Sequence, residues 1–225
     1  MNRRKITAAL LSLIIALSLA SCKAKEPSDT QTTADAQTTD GAYSETEAAK
    51  NAYEYVKEQQ NTEPELTAAD ENALKKALSE GGASVLFEPA QQGKFTIKGK
   101  NAAEKTLTVK APASQIECKT ALGTVLLAQA AAFSATEHIA DFIVSAPECE
   151  LHLSGGCTRI YIEGKNVKLY LEKGAFNEIY AINTTAVIVN KSGETVNITL
   201  ANGTKTVLEN NKSYSVKTNE ITDCG

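Results

Sequence analysis

Short runs of alternating apolar and polar residues fill the chain from residue 83 almost to its end. Pairs of apolar residues, mostly β-branched, recur with single polar residues between them, which predicts very short strands. From Val144 onward the strand centres lie about nine residues apart. The apolar positions are Val85/Phe87, Phe95/Ile97, Leu107/Val109, Val125/Leu127, Ile143/Val144, Leu151/Leu153, Ile160/Ile162, Leu169/Leu171, Ile179, Val187/Val189, Val196/Ile198, Val207 and Val216.

The strand pattern repeats along the chain. A shift of 35 residues aligns Val109-Lys-Ala-Pro112 with Val144-Ser-Ala-Pro147, and it pairs Ile116 with Leu151. A further shift of 36 pairs Leu151 with Val187. A sandwich of hairpins would need tight turns such as Asn-Gly, and Asn202-Gly203 is the one Asn-Gly present. Short strands, fixed spacing and an internal repeat together favour a solenoid.

Two helices are predicted before the strands. Residues 45–60 contain strong helix formers with apolar residues on one face, namely Ala49, Ala52, Tyr53 and Val56. Thr67-Ala-Ala-Asp70 fits a capping box for a second helix, which Gly81-Gly82 would end. Its apolar stripe consists of Leu74, Ala77 and Leu78. We therefore predict a helical cap region over residues 45–82, followed by the strand domain over residues 83–225.

The N-terminus has the pattern of an export signal. Three basic residues precede an apolar run over residues 6–19, and Leu19-Ala20-Ser21-Cys22 follows. This ending resembles the lipobox of bacterial lipoproteins, in which the cysteine becomes the lipidated first residue; the alternative is an ordinary secretory signal. Residues 1–21 are thus predicted to be a signal peptide, and Cys22 the site of lipidation. Residues 22–44 have almost no large apolar residue, which predicts a disordered acidic tether.

Residues 73–87 and the following Gly93-Lys-Phe95-Thr-Ile97 resemble the opening of right-handed parallel β-helices of the pectate-lyase-like superfamily. Residues from about 95 to 216 resemble repetitive β-helical segments of Firmicutes surface proteins. The resemblance implies an all-β fold, a single-stranded parallel β-helix that is right-handed and mostly three-sided, with an N-terminal helical cap. The spacing alone leaves two or three strands per coil open.

Composition narrows the classes of function. The net charge of −4 argues against a nucleic-acid partner, because phosphate binding needs a basic surface. Enzymes of the scaffold that the chain resembles use clustered Asp residues and a basic residue. From residue 90 onward the chain has two Asp residues, Asp141 and Asp223, and one Arg, Arg159. We therefore predict no catalytic residues, no cofactor and no enzymatic activity.

Four cysteines remain besides Cys22. They are Cys118, Cys149, Cys157 and Cys224. In an exported protein Cys149 and Cys157 are candidates for a disulfide, and the alternative is that they are small buried apolar side chains. A zinc site of Cys149, His152 and Cys157 lacks an evident fourth ligand, so no metal site is predicted.

Aromatic side chains are predicted on the solvent face of the strands. Alternation places Tyr161 between Ile160 and Ile162, and Tyr170 between Leu169 and Leu171, so that both rings point outward. His152 and Tyr180 are expected to do the same. Some of these four residues would stack as an exposed platform suited to sugars. The alternative is that outward tyrosines simply suit a pleated surface.

Taken together, the sequence predicts an exported, lipid-anchored protein on the outer face of a bacterial membrane, or on the periplasmic face in a host with two membranes. The expected function is that of a non-catalytic binding or adhesion module for a glycan or a host or envelope protein. One alternative is a structural envelope spacer or assembly component. The other is a small carbohydrate-active enzyme.

Overall fold

The computed structural model describes residues 47–224, in which two helices precede or flank a long series of short strands. The predicted signal peptide, the lipidation of Cys22 and the tether lie outside the described residues. In chain order the elements are α1 (Glu47–Asn61), β1 (Leu66–Ala68), α2 (Glu71–Glu80), β2 (Ser84–Phe87), β3 (Lys94–Ile97), β4 (Thr106–Lys110), β5 (Gln115–Cys118), β6 (Leu122–Gln129), β7 (Ala132–Ala135), β8 (Ile139–Val144), β9 (Glu150–Leu153), β10 (Cys157–Ile162), β11 (Lys168–Leu171), β12 (Phe176–Ala181), β13 (Val187–Asn190), β14 (Val196–Leu200), β15 (Lys205–Leu208), β16 (Lys212–Ser215) and β17 (Glu220–Asp223).

The strands form two sheets of a parallel β-solenoid, which confirms the predicted fold class. Sheet A has the order β1-β2-β4-β6-β8-β10-β12-β14-β15, and sheet B the order β17-β16-β13-β11-β9-β7-β5-β3. Consecutive strands alternate between the sheets from β2 to β14, so that each coil contributes one strand to each sheet. The three-sided coil that the family resemblance implied is therefore wrong. Coils of 17 to 19 residues along the register Leu107–Val125–Phe142–Ile160–Ile179–Ile198 have room for two short strands and two turns.

The two shifts of the sequence repeat have different outcomes. The shift of 35 is correct and spans two coils, since Ile116 aligns with Phe133 and then with Leu151. The shift of 36 is wrong, because Leu151 aligns with Leu169 and then with Ile188 instead of Val187. The later coils are longer by one residue. In β13 every residue except the last is apolar, so the alternation pattern does not show which side chains point inward.

Inward-facing side chains from the two sheets meet in one continuous core. In sheet A the inner positions of β4, β6, β8 and β10 are fully buried, and those of β9 and β11 are fully buried in sheet B. The rings of Phe133 and Phe142 join the sheets with centroids 5.0 Å apart. Burial of each such large apolar side chain stabilises the fold by about 1.5–3 kcal/mol.

Each end of the solenoid is covered by a different element. At the N-terminal end, α2 buries Leu74, Ala77 and Leu78 in the main core. Asp70 is its N-cap and accepts a hydrogen bond from the Ala73 amide at 2.8 Å. The predicted capping box is wrong about Thr67, which instead lies in β1, paired in parallel with β2.

At the C-terminal end the parallel pattern stops. Strand β15 runs antiparallel to β14, β16 antiparallel to β13, and β17 antiparallel to β16. The Asn202-Gly203 pair forms the turn between β14 and β15, where Gly203 has φ of 78° and its amide donates to the Leu200 carbonyl. The last segment of the predicted β-helix domain is therefore a set of antiparallel strands that closes the coil.

Within the predicted helical cap region, α2 covers the N-terminal end of the solenoid and α1 lies on the outer face of sheet A. Its buried residues are Ala49, Ala52 and Val56. Its first turns border Ile182 and Leu200, near the C-terminal end of the solenoid, and its last residues border Leu86 and Thr108 at the other end. The residues were predicted correctly as a helix, and the sequence pattern left its packing partner open. No helix among residues 47–224 is long and apolar enough to cross a membrane.

Candidate functional site

The four aromatic residues predicted to form a platform fall into two pairs on opposite sheets. Tyr161 and Tyr180 are neighbours in sheet A, and His152 and Tyr170 are neighbours in sheet B. Each pair is stacked, with planes 11° apart in the first and 9° in the second. All four side chains point away from the main core, as alternation predicted. The two pairs differ in what covers them.

Of the pair on sheet A, α1 buries Tyr161, whereas Tyr180 stays partly exposed and its hydroxyl donates to Glu178 at 2.6 Å. Tyr161 is 3% exposed, in a small cluster with Ala52, Val56 and Ile143, and its ring centroid is 5.2 Å from that of Tyr55. Burial raises the pKa of the Tyr161 hydroxyl above its usual range. The prediction that Tyr161 faces solvent is therefore wrong, because a helix placed on that face by tertiary packing excludes water from it.

Polar contacts fasten α1 along the same face. Arg159 donates two hydrogen bonds to the carboxylate of Asp141, at 2.6 and 2.8 Å, and the Tyr55 hydroxyl donates to the same carboxylate at 3.0 Å. Near the end of α1, Gln60 donates to Glu163 at 2.6 Å and to Ser145 at 2.9 Å. Asp141 and Arg159 therefore hold α1 against sheet A, and this contact gives both charged residues a structural role.

The outer face of sheet B carries the other pair, and neither described helix lies over its centre. His152 and Tyr170 are both partly exposed, with ring centroids 4.6 Å apart. They belong to one outward row, whose members by strand register are Thr96, Glu117, Ser134, His152, Tyr170, Val189 and Ser213. In this stack both rings are partly exposed, whereas on sheet A only Tyr180 is.

Two carboxylates hold the imidazole of His152. Its Nδ1 lies 2.7 Å from Glu172 Oε1, and its Nε2 lies 3.0 Å from Glu150 Oε1. Partial burial alone would lower the pKa of His152, but the hydrogen bonds and charges of the two glutamates outweigh it and raise the pKa. The ring is thereby fixed in orientation against Tyr170.

A trough runs beside the stack, along β7. The outward residues of β7 are small, Ala132 and Ser134, whereas the strands on either side carry larger ones. The resulting cavity has a volume of about 380 Å³, with Glu150 and His152 on the β9 side, Gln115 and Glu117 on the β5 side, and Lys94 of β3 beyond them. Two strand spacings separate the walls, roughly 9.5 Å between backbones. Because Ser134, His152 and Tyr170 follow one another in the row, the face of the imidazole that does not contact Tyr170 is turned toward the trough.

A larger cavity of about 590 Å³ lies on the sheet A side, at the beginning of α1. Its apolar lining includes Ala49, Ile182, Leu200 and Val216, and the ring of Tyr53 lies at its edge with 41% of its surface exposed. It has no stacked aromatic pair and no ion pair among its lining residues.

The four cysteines of the described chain are free, so the disulfide considered for Cys149 and Cys157 is not formed. Cys157 lies in sheet A and its thiol contacts the Arg159 carbonyl, whereas Cys149 precedes β9 of sheet B. Both are buried as small core side chains, as is Cys118. Burial raises the pKa of Cys118 to about 11 and that of Cys149 to about 12.

Among residues 47–224, no group of three His, Cys, Asp or Glu side chains is arranged so that it could hold a metal ion.

Sequence reasoning missed the trough and the role of Glu172. The signal for the trough was present, since Ala132 and Ser134 are small residues at outward positions where neighbouring strands have Gln, Glu and His. The contact between Glu172 and His152 spans 20 residues and requires the coil length to be known.

Comparisons of the chain with protein-family models, with curated proteins and with solved structures found no match.

Proposed function

We propose that this protein is a non-catalytic, lipid-anchored surface protein that binds a glycan in the sheet B trough. The observation that carries the proposal is the partly exposed His152–Tyr170 stack, in which His152 borders a trough about one ring wide and Tyr170 supports the imidazole from the other side. The imidazole face that borders the trough is flat, and a flat ring face can pack against the C–H face of a sugar ring. Concave sites with few polar groups are where small ligands bind in proteins.

The polar groups of the trough suit a hydroxyl-rich ligand. Glu117 and Glu150 stand on opposite walls, and Gln115 adds an amide that can both donate and accept. Each carboxylate uses one oxygen in the structure, Glu117 with Lys119 at 2.8 Å and Glu150 with His152 at 3.0 Å. The remaining carboxylate oxygens are available to accept hydrogen bonds from sugar hydroxyls.

The location follows from the N-terminal sequence. The lipobox-like Leu19-Ala20-Ser21-Cys22 supports export and lipid attachment at Cys22, with the tether holding the solenoid away from the bilayer. The resemblance to right-handed β-helices of Firmicutes surface proteins supports the same location and the same handedness. On this proposal the protein acts on the outer or periplasmic face of a bacterial membrane.

The alternatives have less support. A structural component that assembles end to end would use an open coil as a template for pairing. Here β15, β16 and β17 run antiparallel to the strands before them and close the C-terminal coil. A carbohydrate-active enzyme would need a carboxylate free to exchange protons with substrate. In the trough Glu117 is paired with Lys119 and Glu150 with His152.

The test is binding of the chain from residue 22 onward, carrying Cys22→Ser, to a panel of bacterial and host glycans. Tyr170→Ala removes the ring on which His152 is stacked, and Tyr53→Ala is the matched control because it removes an exposed tyrosine on the sheet A side. We expect binding that Tyr170→Ala abolishes and Tyr53→Ala leaves intact. Loss in Tyr53→Ala alone would move the site to the 590 Å³ cavity. Absence of binding to every glycan would overturn the proposal.

A further inference from the structure

We propose that His152 makes glycan binding in the trough dependent on pH, with binding strongest when the imidazole carries two protons. The inference rests on the proposed function and adds a mode of regulation to it. It follows from the positions of the two glutamates, which place a carboxylate oxygen at each ring nitrogen.

The geometry requires both N–H groups of the ring. A neutral imidazole has one donor nitrogen and one acceptor nitrogen, so it can satisfy only one of the two carboxylates. At the other nitrogen a lone pair would face a carboxylate oxygen at 2.7 or 3.0 Å, and the two would repel each other. Loss of the proton therefore breaks one of the two contacts and releases the ring from its fixed orientation.

The consequence reaches the trough because the same residues form its wall. Glu150 and His152 both line the cavity, whereas Glu172 lies outside it. If the contact to Glu150 breaks, the carboxylate and the ring face leave the positions in which they border the trough. If the contact to Glu172 breaks, the ring is no longer held parallel to Tyr170.

Among the described residues, no other charged group on this face supplies the second N–H donor that the two glutamates require of the imidazole. Lys94 lines the cavity beyond Gln115, Lys168 neighbours Glu150 in the register, and Lys191 occupies the ladder position one coil beyond Glu172. Glu117, across the trough, is paired with Lys119. Tyr170 contributes a neutral ring with which an imidazolium interacts more favourably than an imidazole does.

The experiment combines two readouts over pH 5 to 9. The chain has two histidines, so NMR titration of the ring C–H resonances with His138→Asn for assignment gives the pKa of His152 directly. Binding of the best glycan from the panel is measured by calorimetry over the same range. We expect the dissociation constant to rise as His152 deprotonates, by about tenfold for each unit by which glycan binding raises the pKa of His152.

Glu172→Gln is the decisive variant. It keeps a hydrogen-bond acceptor beside Nδ1, removes one charge and leaves the trough lining unchanged. We expect binding to persist at pH 5 and its midpoint to shift to lower pH in both readouts, whereas His138→Asn shifts neither. Binding that does not change through the titration of His152 would overturn the pH dependence and leave the glycan site standing. A His152 pKa at or below its ordinary value would show that Glu150 and Glu172 do not hold the imidazole in its doubly protonated form. Absence of binding at any pH would overturn both proposals.

Discussion

The imidazole of His152 lies parallel to the ring of Tyr170, with centroids 4.6 Å apart, on a face of the solenoid that solvent reaches. Tyr161 and Tyr180 make a similar stack with centroids 5.1 Å apart on the opposite sheet, where α1 covers Tyr161. The same strand pattern thus produces two aromatic pairs with different environments. One supports packing, and the other is available to a ligand.

This difference predicts opposite effects of two tyrosine substitutions. Tyr161→Ala should destabilise the protein by about 3 kcal/mol, because it removes a buried ring between α1 and sheet A. Tyr170→Ala should cost about 1 kcal/mol or less, because its ring is partly exposed and loses one stacking contact. Urea unfolding followed by circular dichroism measures both values. Equal losses of stability would contradict the assignment of the two faces.

Asp141→Asn is predicted to loosen α1. The carboxylate accepts two hydrogen bonds from Arg159 and one from Tyr55, and its replacement weakens all three contacts at a cost of about 1–2 kcal/mol. Hydrogen exchange should become faster in the amides of α1 and remain unchanged in β9 and β11. Uniform acceleration through the solenoid would show instead that Asp141 supports the core. Glu88→Gln serves as the control for loss of an acidic residue, since Glu88 is exposed and is not one of the residues that contact Asp141.

Asn190 is predicted to be essential to the last complete coil. It is fully buried at an inward position, and its amide nitrogen donates to the carbonyls of Glu194 at 2.8 Å and Leu208 at 3.0 Å. Asn190→Leu would leave both carbonyls without this donor, at a cost of about 2–3 kcal/mol despite the gain in apolar volume. Thermal unfolding measures the effect. A variant as stable as the wild type would mean that these hydrogen bonds contribute nothing net.

The stability of the protein should depend on pH through His152. The pKa of His152 is raised in the folded state above its ordinary value of 6.5, so its contribution is complete below 6.5 and is lost as pH rises through the folded-state value. The difference in unfolding free energy between wild type and His152→Asn should therefore be largest near pH 5.5 and should shrink at alkaline pH. A difference that grows with pH would contradict the stabilisation of the protonated imidazole by Glu150 and Glu172. His138 is present in both proteins and cancels in the comparison.

The thiols of the described residues should react in two classes. Cys224 is partly exposed and should react promptly with a thiol reagent under native conditions. Cys118, Cys149 and Cys157 should be protected until the protein unfolds, because they are buried and burial raises the pKa of each. Counting reacted thiols against time in buffer and in denaturant checks this. Prompt reaction of more than one thiol in the Cys22→Ser protein would contradict it.

Strand positions and the two-coil shift of 35 residues could be predicted because alternation and β-branched residues are local signals. The strand register after Ile160 could not be predicted, because a one-residue insertion in a turn cannot be recognised when the next strand is an apolar run such as β13. The burial of Tyr161 could not be predicted either, since it depends on a helix more than 100 residues earlier in the chain. The exposed half of the aromatic platform was predicted by alternation alone, whereas the trough depends on strand register.

The central claim is that the trough over β7 is the binding site, and one pair of variants tests it most directly. Ser134 and Ser213 both belong to the outward row of sheet B, but only Ser134 lines the trough. Ser134→Arg fills the trough, whereas Ser213→Arg adds the same side chain near the C-terminal end. Measured by calorimetry with the glycan selected from the panel, binding should be lost in Ser134→Arg and retained in Ser213→Arg. Unchanged affinity in Ser134→Arg, with the fold intact by circular dichroism, would contradict the account.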